Sequence, residues 1–190
     1  KIASGEFFNQ DLVDGVVAMG CPILISTGMS SIDECDRVVQ EMLDRDVNFA
    51  IMQCTSEYPT PLARVGLNVL EEFLVRYNCA VGLSDHSGTV YPGIFAIGRD
   101  LTVLEVHVSF SRKQFGPDIS SSLTFEELEI LTGFNWALQQ MRTNPVNKDD
   151  IAIDLKTMRG LFTRSIGLRT FRSAGSVLTR DSLIARKPGT

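Results

Sequence analysis

Apolar residues come in short, near-continuous runs separated by amphipathic stretches. Ile2-Ala3-Ser4 is the tail of one run, followed by Pro22–Ser26, Phe49–Cys54, Ala80–Ser84 and Leu101–His107. Runs of this length without polar alternation predict strands covered on both faces. Between them the spacing predicts helices over Asp11–Met19, from Ser30 or Ser31 to about Leu43, over Leu67–Arg76 and over the short stretch Gly93–Gly98. Asp33 and Glu34 would occupy the first turn of the second helix, where carboxylates complement the free N–H groups. Thr124 with Glu127 three residues on reads as a capping box opening a helix through about Met141. Strand starts lie ~20–30 residues apart, which predicts βα units in a parallel sheet.

Five such units do not close an eight-stranded barrel, which takes ~250 residues. The chain starts inside an apolar run and without Met, so it is expected to begin mid-barrel, with its true N-terminus elsewhere. An open sheet is the alternative. After Met141 the pattern changes: Thr143–Asp150 reads as a polar linker, and the segment from Thr163 carries Arg164, Arg169, Arg172, Arg180, Arg186 and Lys187. Its short β-like pieces suggest the start of a second, small domain, with a solvated basic linker as the alternative.

Of the 190 residues, 44% are hydrophobic and 22% charged, ordinary values for a globular chain with a sizeable core. A net charge of -5 without a basic stripe argues against a general nucleic-acid binder. No apolar run approaches the ~20 residues that span a bilayer. Cys21, Cys35, Cys54 and Cys79 form no CxxC pair, so a disulfide framework or zinc ribbon is not expected and a cytoplasmic location is.

In a parallel barrel the chemistry sits at the C-terminal ends of the strands. The polar residues cluster there: Lys1, Ser4 and Glu6; Ser26-Thr27-Gly28-Met29; Thr55, Ser56 and Tyr58; Ser84-Asp85-His86; Glu105 and His107. Both histidines of the chain end a strand. Two imidazoles on one barrel face can hold a divalent cation, leaving other positions to water or substrate; hydrogen-bonded structural histidines are the alternative. Lys1 could bind an anion or form a Schiff base with a carbonyl substrate. Glu6 could orient water or act as acid or base, or simply sit at a helix start. Ser26-Thr27-Gly28 offers donors for a phosphate or carboxylate. Cys54 reads as a small buried hydrophobe, and Phe7, Phe8 and Phe110 as packing residues.

Taken in order, Lys1-Ile2-Ala3-Ser4-Gly5-Glu6, Ser26-Thr27-Gly28-Met29, Gln53-Cys54-Thr55-Ser56-Glu57-Tyr58-Pro59, Gly82-Leu83-Ser84-Asp85-His86 and Gly116-Pro117-Asp118 resemble the motifs of the sialic acid (N-acetylneuraminate) synthase, or NeuB-like, family. The resemblance implies an α/β fold: a partial (β/α)8 TIM barrel of about five C-terminal βα units over 1–142, a linker over 143–160, and the start of a small β-clip antifreeze-like (SAF) domain over 161–190. It implies a metal-dependent transferase that condenses phosphoenolpyruvate with an N-acyl amino sugar and releases phosphate, the segment by itself being inactive. His86 and His107 match ligands of Mn2+ or Mg2+. Glu6 matches a carboxylate on a metal-bound water. Lys1, Ser4 and Ser84 match groups on phosphoenolpyruvate, as does Ser56, which stands where some members have Asn. Tyr58 and Asp118 match groups on the sugar. In Arg186-Lys187-Pro188-Gly189, lysine stands where the family's arginine enters the partner's site in a domain-swapped homodimer. Alternatives from other classes are a Schiff-base aldolase using Lys1, another phosphoenolpyruvate-condensing barrel such as a sugar-phosphate synthase, and a non-enzymatic carbohydrate-binding protein.

Overall fold

In the computed structural model, which describes residues 1–188, four of the apolar runs become strands β1 (Ile23–Ser26), β2 (Phe49–Cys54), β3 (Ala80–Asp85) and β4 (Val103–Val108). A short β5 (Ser122–Leu123) joins them. All pair in parallel, and their order in the sheet is their order in the chain. The first apolar run contributes only a bridge, Ile2 to Ile25, after which Ser4–Glu6 turns as a 3-10 helix. Right-handed crossovers between strands that advance in one direction place every connecting helix on the same face. The other face is left free of helices, which is the arrangement of a barrel wall. The sheet is an open one, consistent with part of a (β/α)8 barrel.

The helices begin where their local chemistry starts them. Asn9 caps α1 (Gln10–Ala18) by accepting from Leu12 N at 3.2 Å. Ser31 and Glu34 form a reciprocal capping box at α2 (Ile32–Asp44), and Asp46 leaves that helix with φ 54°. Gly66, at φ 75°, turns the chain into α3 (Leu67–Arg76). The short α4 runs from Tyr91 to Gly98, two residues earlier than its apolar pattern suggests, because Pro92 suits a first helical turn. Glu127 accepts from Thr124 N at 2.8 Å and starts α5 (Phe125–Thr143). β5 escapes the hydrophobic pattern because it is two residues long and half serine.

The core lies between sheet and helices. Ile23, Ile25, Phe49, Ile51, Val81 and Leu83 meet Val13 of α1, Cys35, Val39 and Met42 of α2, Leu70 and Phe73 of α3 and Ala96 of α4. Burial raises the Cys35 thiol to about 11, with Asp36 and Glu34 adding to it, so it behaves as a small apolar group. At the rim, Arg76 of α3 grips Asp36 of α2 through Nε at 2.7 Å and through a second nitrogen, while Tyr77 donates to the same carboxylate at 2.9 Å.

The chain divides into two compact units at Gln140/Met141. In the second, the stretch read as a polar linker is non-helical over 144–147 and then enters α6 (Lys148–Asp154), with α7 (Lys156–Phe162) following. Asn147 caps α6 by accepting from Asp149 N at 3.0 Å, and Asp149 and Asp150 fill its first turn, so the polar composition is an N-terminal helix signal. An antiparallel pair follows, β6 (Ser165–Leu168) and β7 (Leu183–Arg186). Gly189 and Thr190, the end of the expected small domain, lie outside the described residues.

Phe73 is 1% exposed at the centre of the core, so Phe73→Ala should cost about 3–5 kcal/mol in urea unfolding of this unit. A second expectation concerns pH. The Arg76 guanidinium, with Tyr77, holds Asp36 down to about 2 against an ordinary 3.8. A lowered carboxylate stabilises the fold above its unfolded value and loses that contribution as pH falls through the folded one. The Tm deficit of Asp36→Asn, a few degrees at pH 7, should therefore close between about pH 4 and pH 2; a deficit independent of pH would contradict the ion pair.

Candidate active site

Side chains alternate between the faces of a strand. With the odd-numbered residues of β1 to β3 committed to the helices, the opposite face carries Ser26, Cys54, Ser84, Glu105 and His107. Register puts Cys54 beside Ser84 and Ser84 beside Glu105, one layer at the C-terminal ends of β2, β3 and β4. His107, next along β4, pairs with Ser122, and His86 follows the end of β3.

Lys1 crosses this face. Its segment bridges to β1, four strand spacings from β4, or roughly 19 Å in a flat sheet. Yet its ammonium forms an ion pair with Glu105. Only a sheet curved around this face brings the two together. The same Glu105 oxygen accepts from Ser84 Oγ at 2.6 Å. Burial alone would raise Glu105; the Lys1 ammonium and the Ser84 hydroxyl outweigh it and lower the carboxyl.

Beside this pair the chain is packed without slack. Gly28 N donates to Ser4 Oγ at 3.0 Å. A Cβ on Gly28 would lie 2.1 Å from Ser56 Oγ, 2.7 Å from Ser4 Oγ and 2.9 Å from Cys54 Sγ. The loop expected to offer backbone donors to an anion has spent two of them: Thr27 N bonds Met52 O at 3.1 Å and Gly28 N bonds Ser4. Thr27 Oγ1 also bonds Met52 O, at 3.0 Å. Ser26 Oγ is buried without a hydrogen-bond partner among the described residues.

The two imidazoles face one another with centroids 5.1 Å apart. His86 is buried, its Nδ1 3.1 Å from Thr55 O and 3.8 Å from Cys54 Sγ, its Nε2 3.2 Å from Tyr58 OH. Burial opposes charge on His86, but the Cys54 sulfur and the Thr55 carbonyl raise it overall. Burial likewise opposes a Cys54 thiolate, and contact with His86, Ser4 and Ser56 lowers it overall. Tyr58 is raised by burial and by the acidic groups around it, among them Asp118 and Glu105. His107 Nδ1 lies 3.9 Å from Asp118 Oδ2, beyond hydrogen-bond length. Asp85 is buried under Ser87, which donates through N at 3.1 Å and Oγ at 2.8 Å; burial raises it.

Lys1 and Ser84 thus meet on Glu105, while Ser4, Tyr58 and His86 are joined around Cys54, with His107 and Asp118 close by. Glu6 is not joined to them by a hydrogen bond among the described residues; its carboxylate accepts from Asn9 Nδ2 at 2.6 Å. Arg186 and Lys187 belong to the second unit, where Lys187 lies 5.6 Å over the Phe162 ring. No group of three or more His, Cys, Asp or Glu side chains forms a ready cation site among the described residues. Cys54, read as filler, and Glu105, noted only as a strand-end residue, turn out to be central. The signal for Glu105 was its place two residues before His107 on the same strand face.

Residues 1–145 match the NeuB family. The chain belongs to this family. It is 32% identical over 187 residues to human N-acetylneuraminate-9-phosphate synthase, covering 98% of this chain and 52% of that protein. It is 26% identical over 196 residues to N,N'-diacetyllegionaminic acid synthase of Legionella pneumophila, covering 100% and 54%. The chain spans about half the length of the curated relatives it matches. Among solved structures, N-acetylneuraminic acid synthetase from Leptospira borgpetersenii, crystallised with citrate, shares the fold with TM-score 0.71 at 22% identity, over 82% of this chain and 56% of that one. No helix among the described residues of this NeuB-family chain is long and apolar enough to cross a membrane.

The packing at Gly28 makes an expectation that needs no ligand. Gly28→Ala should lower Tm by several degrees, and Ser56→Ala, by removing the nearest oxygen, should recover part of the loss in a double-mutant cycle. Strict additivity would show that the two positions do not touch.

Proposed function

We propose that this chain forms part of a NeuB-type synthase that condenses phosphoenolpyruvate with an N-acyl amino sugar, such as N-acetylmannosamine, releasing phosphate. The observation that carries the reading is the meeting of two imidazoles 5.1 Å apart with a lysine and serine hydroxyls at the C-terminal ends of parallel strands. It is the site's chemistry, together with family membership, that supports it.

The donor set fits a divalent cation, Mn2+ or Mg2+. With Nδ1–H of His86 donating to Thr55 O, Nε2 carries the lone pair, which would turn from Tyr58 OH at 3.2 Å to the cation; this is the tautomer that a metal-binding histidine takes from a carbonyl partner. His86 and His107 would hold the cation, which would supply Lewis-acid polarisation of the open-chain sugar's carbonyl. Lys1, with Ser4 and Ser56 near it, would bind the anionic phosphoenolpyruvate and hold its enol carbon towards that carbonyl, while Ser84 gives its proton to Glu105 beside them. Tyr58 and Asp118, which flank His107, would bind the sugar. Carbon–carbon bond formation leaves positive character on the adjacent carbon; water adds there, and the tetrahedral product loses phosphate by carbon–oxygen cleavage. Glu6 would hydrogen-bond a water held by the cation. The Lys1 ammonium, paired with Glu105, has no free lone pair with which to attack a carbonyl, which weighs against a Schiff-base aldolase.

In the same reading, residues 143–160 connect the barrel segment to the start of a SAF domain, and Arg186 and Lys187 of one protomer serve the site of its partner in a domain-swapped dimer. Charge partition supports this. Residues 1–140 hold 19 Asp and Glu against 8 Lys and Arg, whereas residues 141–190 hold 4 against 10.

The test uses the full-length protein. Chelation should stop phosphate release from phosphoenolpyruvate and N-acetylmannosamine, and added Mn2+ should restore it. Mn2+ should also raise Tm, and His86→Ala and His107→Ala should each abolish that rise. Undiminished turnover under chelation would refute the cation's role.

A further inference from the structure

Glu105 presents a puzzle. A carboxylate beside an anion-binding lysine repels the ligand that the lysine attracts. Yet Glu105 sits at the centre of the layer, with both Lys1 Nζ and Ser84 Oγ donating to its Oε2. Ser84 is its register neighbour on β3, whereas Lys1 reaches it across the concave face from the far side of β1. A lysine carries four rotatable methylenes and loses much of its rotamer entropy when fixed. Without Glu105, that cost would fall on substrate binding. With it, the ammonium is already placed, and an ammonium has three N–H donors, so two remain for an incoming anion. Ser84 differs: its single proton is committed to Glu105 at 2.6 Å, so its oxygen faces the site as an acceptor.

We propose that Glu105 is a positioning residue, which presets Lys1 as the donor for the anionic substrate and orients the Ser84 hydroxyl. The proposal rests on the reading of this site as one that binds phosphoenolpyruvate. The carboxylate trades some charge repulsion for pre-organisation, the balance that favours binding when the donor is a flexible chain.

The sign of one measurement separates placement from repulsion. Phosphoenolpyruvate is titrated calorimetrically into the full-length protein without sugar, for the parent, Glu105→Gln, Glu105→Asp, Lys1→Met and the Lys1→Met/Glu105→Gln double variant. Glu105→Gln should weaken phosphoenolpyruvate about tenfold, the scale of one charge-assisted hydrogen bond. Glu105→Asp, which keeps the charge and shortens the reach, should fall between it and the parent. In the Lys1→Met background, Glu105→Gln should cause no further weakening, because nothing is left to position. In steady state, KM for phosphoenolpyruvate should rise while KM for the sugar holds. Unchanged or tighter binding by Glu105→Gln would overturn the proposal, since the carboxylate would then only repel. Equal weakening by Glu105→Gln with and without Lys1 would overturn it too. A parent protein that does not bind phosphoenolpyruvate would instead overturn the reading of the site, and this proposal with it.

Discussion

The handedness of the strand connections governs this molecule. Because β1 to β5 follow one another in both chain and sheet, and parallel crossovers are right-handed as a rule, α1 to α4 pack on one face. That face has a continuous apolar core, to which alternate residues of each strand are committed. The remaining alternate residues are gathered on a face with no helix to cover it. Near the C-terminal strand ends these residues are polar: Ser26, Ser84, Glu105 and His107. The site is the complement of the core, produced by a period of two along each strand.

Curvature turns that face into a site. Lys1 and Glu105 stand four strand positions apart yet form an ion pair. Their contact measures the bend of the sheet, and it brings a cation from one edge to a carboxylate near the other. Close packing does the rest on the Lys1 side, where Gly28 admits the Ser4 and Ser56 oxygens and the Cys54 sulfur to a space that any side chain would fill. On the other side, the Thr55 carbonyl sets the His86 ring, with Tyr58 against its outer nitrogen. Neutral, acidic and basic groups thus lie within one layer of one another, and burial opposes the charge of several. The shifts of Glu105, His86 and Cys54 all follow their charged or hydrogen-bonding neighbours against that opposition.

Much of the wall of the fold was legible beforehand. Apolar runs located β1 to β4 within about two residues, and the capping box Thr124 with Glu127 and the serines before Asp33 and Glu34 located helix starts, because both signals are local. The failures have equally local causes. β5 has two residues and no apolar run, and exists because β4 offers an edge. The first apolar run yields a single bridge because the chain turns at Ser4. Of the stretch Thr143–Asp150, read by polarity as a linker, residues 144–147 are non-helical, and the helix that starts after Asn147 was not foreseen.

By itself, the sequence determined the alternation of strand and helix and the positions where polar residues end a strand. These depend on periodicity and on neighbours a few residues away. Only the tertiary structure decided which of those residues meet. It joined Lys1 to Glu105, exhausted the backbone donors of Thr27 and Gly28 on protein partners, left Glu6 with Asn9, and brought Cys54 against His86. Those outcomes depend on register between strands and on the curvature of the sheet, properties that belong to pairs of distant segments and not to any one stretch of chain.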